Sequence, residues 1–143
     1  MMRKAGIVVL FISVIAVAAL CGCEEKTSNE TNLFDNIHFD GGGIFRLVNG
    51  SLSFTTNKSG GIVSAEVTMM FQNILNRTVS ANITVAFYDK NDTQLYVTHR
   101  QFYDYPPGYR DQSVLPANIV TYNGENANKV DHVVITVREI KGL

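Results

Sequence analysis

The sequence predicts an all-β protein: an antiparallel β-sandwich of about seven strands in a single domain. Three observations predict it. Two segments alternate apolar and polar residues over nine or more positions, the connections between apolar segments are short and polar, and helical periodicity is nearly absent after Leu33. Alternation of period two marks a strand with one face on a core and the other in water. Several such strands in about 105 residues suit two packed sheets around one core.

The elements are read in chain order. In "GIFRLVNGSLSFTT" the dipeptide Asn49-Gly50 is favoured in a two-residue type I′ turn, where both positions need positive φ. The sequence therefore predicts a hairpin centred there, pairing Leu47 with Leu52 and Phe45 with Phe54. The next strand, "IVSAEVTMMFQ", turns Val63, Ala65, Val67, Met69 and Phe71 inward. The one after it, "VSANITVAFYD", turns Val79, Ala81, Ile83, Val85 and Phe87 inward. A strand follows around Leu95–Phe102 and is broken by "YPPG", because proline cannot donate to a ladder. A short strand is expected at Gln112–Leu115, and "VDHVVITVREI" closes the domain with Val133, Ile135 and Val137 inward.

The amino-terminal residues say where the chain goes. Arg3 and Lys4 precede an uncharged run from Ala5 to Leu20, the pattern of a secretory signal. Sixteen helical residues reach roughly 24 Å, short of the ~30 Å hydrocarbon core, so an uncleaved membrane helix is the second choice. The run ends in Leu20-Cys21-Gly22-Cys23, which resembles the lipobox of prokaryotic lipoproteins. That resemblance implies a signal peptide at 1–22, with Cys23 as the lipidated first residue of the mature chain. A disulfide between Cys21 and Cys23 would close a strained ring, and there is no further cysteine to complete a metal site. Residues 23–32 are polar and read as a flexible tether, leaving 33–143 as the sandwich domain. The expected location is the outer side of a cell membrane.

Once the signal is removed, 10 basic and 13 acidic residues remain, a net charge of −3, with the basic residues scattered singly. Nothing in that balance favours nucleic acid. No cofactor or metal is expected. His38, His99 and His132 are far apart in sequence, and His132 reads as a solvated strand histidine. Asp89, Asn91 and Thr93 begin like a calcium loop, but the glycine at position 6 and the glutamate at position 12 are missing. Gly41–Gly43 leads into a strand without a following Lys-Ser/Thr, so it is no phosphate cradle. No nucleophile motif occurs, and an enzyme is not expected.

From "VTMMFQNILNRTVSANITVAFYDKNDTQL" through "PPG" to "VDHVVITV", roughly Ile62–Ile140, the chain resembles the FxLYD-type family of small immunoglobulin-like envelope domains. The signature here is Val85-Ala86-Phe87-Tyr88-Asp89, with valine and phenylalanine in the apolar positions. The resemblance implies an immunoglobulin-like sandwich and carries no catalytic residues.

Two groups of surface residues stand out. Phe102, Tyr103, Tyr105, Tyr109 and Arg110 crowd a rigid bend, and tyrosine and arginine are common in binding hot spots. They suggest a patch for other envelope proteins or, alternatively, for a carbohydrate or small ligand; the bland reading is that two of the rings cover the end of the sandwich. Six Asn-x-Ser/Thr sites occur, at Asn29, Asn49, Asn57, Asn76, Asn82 and Asn91, and in an exported chain they are candidate glycan acceptors. Only Asn82 falls inside a predicted strand, and alternation puts it on the outer face. The function expected is that of a non-catalytic, lipid-anchored surface domain that binds or spaces envelope components.

Overall fold

The computed structural model describes residues 35–142, so the expected signal and tether, with Cys21, Cys23 and Asn29, lie outside the described residues. Seven strands form two sheets: β1 (Ile37–Asp40), β2 (Phe45–Thr56), β3 (Ile62–Asn73), β4 (Val79–Tyr88), β5 (Gln94–Tyr105), β6 (Ile119–Tyr122) and β7 (His132–Glu139). One sheet has the order β1-β7-β4-β5 and the other β2-β3-β6. The chain changes sheets after β1, β3, β5 and β6, giving the immunoglobulin-like sandwich. Adjacent strands pair antiparallel except β1 and β7, which run parallel from Ile37↔Val133 to Asp40↔Thr136.

The central strands follow the alternation in the sequence. Ala65, Val67, Met69 and Phe71 of β3 are fully buried, as are Ala81, Ile83, Val85 and Phe87 of β4 and Val133, Ile135 and Val137 of β7. Each large side chain among them contributes about 1.5–3 kcal/mol by leaving water. Val63, expected inside, is 43% exposed because it sits where β3 leaves its turn. Aromatic rings close both ends of the core. Phe39, Phe45, Phe102 and Tyr105 gather around Phe71 at one end, and Phe87, Tyr96 and Tyr122 meet at the other.

The hairpin expected at Asn49-Gly50 does not form. β2 runs through these residues and pairs with β3 along nearly its whole length, from Phe45↔Asn73 to Thr56↔Ile62. The register moves from Leu47↔Phe71 to Asn49↔Met70, so Val48 is the extra residue of a β-bulge. Beyond it, Gly50, Leu52 and Phe54 lie opposite Met69, Val67 and Ala65, which restores the inward face. Leu47 and Leu52 thus share a face within one strand. A bulge and a two-residue turn produce the same switch of apolar parity, and the bulge keeps a long ladder that two short arms would forfeit. The turn joining β2 to β3 is at 57–61, where Asn57 Oδ1 accepts bonds from Ser59 N, Ser59 Oγ and Gly61 N.

The strand expected at Gln112–Leu115 is also displaced. Those residues form a turn, and pairing resumes at β6, whose Ile119 and Val120 meet Thr68 and Val67. Val114 and Leu115 are exposed instead, at 72% and 39%.

Gly50, expected to need a positive φ, and Gly41 differ in the room each leaves for a side chain. Gly50 has no positive φ, and a Cβ there would approach Ile37 Cδ1, a flexible side-chain tip, at 3.1 Å. A Cβ on Gly41 would lie 2.1 Å from the backbone oxygen of Phe45. Gly41→Ala should therefore cost more than ~2 kcal/mol and Gly50→Ala less than ~1 kcal/mol, measured by urea unfolding. Equal losses would contradict the register of β2.

Candidate interaction surface at the Pro-Gly bend

β5 ends at Tyr105, and Pro106-Pro107-Gly108 reverses the chain, with Tyr109 N donating to Pro106 O at 3.1 Å and Gly108 at φ 73°. Just before the bend Asp104 has φ 55°, and its N–H bonds to Ser80 Oγ, bending the strand out of register with β4. Residues 109–111 then return beside the end of β3. Asn73 N donates to Tyr109 O at 2.9 Å and Asp111 N to Phe71 O at 3.0 Å.

Two buried polar side chains hold this geometry. Asn73, 1% exposed, directs its amide at the carbonyls of Arg77, Tyr105 and Pro106 and accepts from Leu75 N. Asp111, 2% exposed, accepts from Phe71 N at 2.6 Å, from the Tyr105 hydroxyl at 2.5 Å and from Asn118 Nδ2 at 2.7 Å. Asn118 Nδ2 also donates to Met69 O at 2.9 Å, while its buried Oδ1 has no protein partner. Burial pushes the Tyr105 phenol well above its ordinary range, and the hydrogen bond and charge of Asp111 push in the same direction.

The five residues singled out at the bend divide into two roles. Phe102 and Tyr105 are core, 4% and 7% exposed, and fill the end of the sandwich. Tyr103 and Tyr109, 50% and 44% exposed, and Arg110 point to solvent. The Tyr109 ring stands edge-on to Tyr105 at 5.0 Å. Ile74, Val114 and Leu115 add exposed apolar surface to the connections nearby.

Elsewhere the structure revises the reading of single residues. His132 is not freely solvated: it stacks on Tyr88 at 5.4 Å, meets His38 edge-on at 5.1 Å, and lies 3.0 Å from Asp131 and 3.3 Å from Asp92. Sequence distance hid the contact of the two histidines, because β1 and β7 are neighbours only in the sheet. His99 bonds to Thr84 instead. Asp89 Oδ1 accepts from Asn91 N and Thr93 N, which holds its carboxyl below the usual range and makes the segment a turn. Among the described residues, no group of three His, Cys, Asp or Glu is placed to hold a metal ion. A polar groove of about 520 Å³ includes Arg77, Ser80, Asp104, Glu139 and Lys141, and Arg77 pairs there with Glu139. Asn49, Asn57, Asn76, Asn82 and Asn91 are all exposed.

No protein-family model matches the chain, and no curated protein matches it. Among solved structures, the crystal structure of Campylobacter jejuni cj0090 is similar at a TM-score of 0.38 and 10% identity, over 72% of this chain and 98% of that one.

The buried network makes two predictions. Asp111→Ala strands three donors and should destabilise the domain by at least ~3 kcal/mol in urea titration. Because the folded pKa of Tyr105 is raised, its contribution is intact below the unfolded tyrosine value of ~10 and is lost as pH rises beyond it. Urea midpoints should therefore fall above pH ~10, and Tyr105→Phe should flatten that decline. An unchanged alkaline decline in the variant would contradict the assignment.

Proposed function

We propose that this protein is a lipid-anchored, non-catalytic domain on the outer side of a cell membrane, which presents its Pro-Gly bend to another envelope component. One observation carries the reading. The described chain enters the sandwich at Ile37, level with Val133 and Phe87, whereas the bend follows Tyr105, level with Val79. Eight residues of β4 separate these levels, about 25 Å along the strand. The bend therefore lies at the end of the sandwich opposite the one at which the described chain begins.

The character of the bend supports docking of a partner surface over enclosure of a small ligand. Phe102 and Tyr105 fill the end, and exposed Tyr103, Tyr109 and Arg110 remain as anchors of the kind found at interfaces. On this reading the chain is a divergent relative of the FxLYD-type domains, and its role is to bind or space neighbouring envelope proteins.

Lipidation is tested by membrane fractionation and fatty-acid labelling of the parent and of Cys23→Ser. The parent should be labelled and retained with membranes, and the variant should lose the label and stay unprocessed. Because an unprocessed variant keeps the apolar run Ala5–Leu20, which can itself hold it at a membrane, loss of the label and of processing is the informative readout. Identical processing and labelling of the two would refute the anchor.

A further inference from the structure

β4 is an internal strand, hydrogen-bonded to β7 on one side and β5 on the other. Of its ten residues only Asn82 is exposed; even the outward-facing Ser80 and Ala86 are buried, at 9% and 5%. The outer face of the four-stranded sheet therefore opens at the asparagine of the sequon Asn82-Ile83-Thr84. Ile83 points into the core with no exposure, so Asn82 and Thr84 project outward on the same face.

The surroundings of Asn82 suit a sugar. Directly across β5 lies Gln101, and directly across β7 lies Arg138. Tyr103, two residues beyond Gln101, is half exposed and donates its hydroxyl to Gln101 Oε1 at 2.5 Å. That bond draws the phenol ring along the strand toward the row of Asn82. Diagonal neighbours of this kind are ~7–8 Å apart, within reach of aromatic and long side chains. A pyranose has an apolar C–H face and polar edges, matching the Tyr103 ring with the Gln101 amide beside it, while the Arg138 guanidinium is turned to Asp40 on β1.

We infer that Asn82 is an N-glycosylation site whose first sugar packs on Tyr103. The transfer joins Asn82 Nδ2 to C1 of the reducing-end sugar of a lipid-pyrophosphate-linked oligosaccharide. The C–N bond forms as the C1–O bond breaks, the lipid pyrophosphate leaves with the electron pair, and the amide gives up one proton. In the folded domain the backbone of Asn82 is locked between two strands, so transfer takes place on the extended chain during export, before folding. This inference rests on the export reading, because the donor and its transferase act on translocated chains.

Protein purified from membranes of its own organism, as parent and as Asn82→Gln, would be analysed by peptide-level mass spectrometry together with its amino-terminal peptide. The peptide containing Asn82 should carry a glycan mass that the variant lacks. A processed amino terminus with Asn82 unmodified would overturn the inference and leave the export reading standing; an unprocessed terminus with Asn82 unmodified would overturn both. Glycan on Asn76 or Asn91 with none on Asn82 would likewise overturn it. For the packing, removing the glycan should lower the Tm of the parent and leave that of Tyr103→Ala unchanged. Equal shifts in the two proteins would exclude the role of Tyr103.

Discussion

The carboxylate of Asp111 is taken out of water between three donors that belong to three different parts of the chain: Phe71 on β3, Tyr105 at the end of β5, and Asn118 just before β6. Burying a charge is costly unless its lone pairs are satisfied, and here they are. The arrangement therefore exists only when both sheets and the 106–118 crossover are all in place. That crossover contains no strand and would be expensive to order on its own. Asn73 reinforces the same corner from the other side, gathering the carbonyls of Arg77, Tyr105 and Pro106 on one side-chain amide.

This corner decides what the surface can do. With Tyr105 held by its hydroxyl and Phe102 packed on Phe71, the rings that crowd the bend in the sequence are sorted into a filled end and two outward tyrosines. The proposed docking role follows from that sorting and from the entry of the chain at the opposite end. Preorganised anchors lose little freedom on binding, so a bend fixed by buried hydrogen bonds is a better docking element than a loose loop.

Much of the fold was legible because β3, β4 and β7 alternate without interruption, and a buried face leaves only one register open to each. What failed was local ambiguity. The parity switch between Leu47 and Leu52 has two solutions, and only pairing with β3 selects the bulge. β1 and β6 are four residues each, too short to show a period, and their places are fixed by partners distant in the chain. At the bend the residue types were read, but their roles were not. Nothing local distinguishes Asp111, which is buried, from Asp104, which is exposed, because the difference lies in who approaches each carboxylate. Asn73 and Asn118 were hidden for the same reason. Asn82 was placed on the outer face correctly by alternation, although Ser80 and Ala86 on that same face are buried, which alternation alone does not show.

The measurement that bears most directly on this account is native-state hydrogen exchange at the amides of Phe71, which donates to Asp111, and Asn73, which donates to Tyr109. If the buried corner is inseparable from the sandwich, both amides should exchange only through global unfolding, as slowly as those of Ile83 and Val85 in β4. Fast exchange of Phe71 and Asn73 while the β4 amides stay protected would show that the bend opens independently, contradicting the dependence of the fold on Asp111.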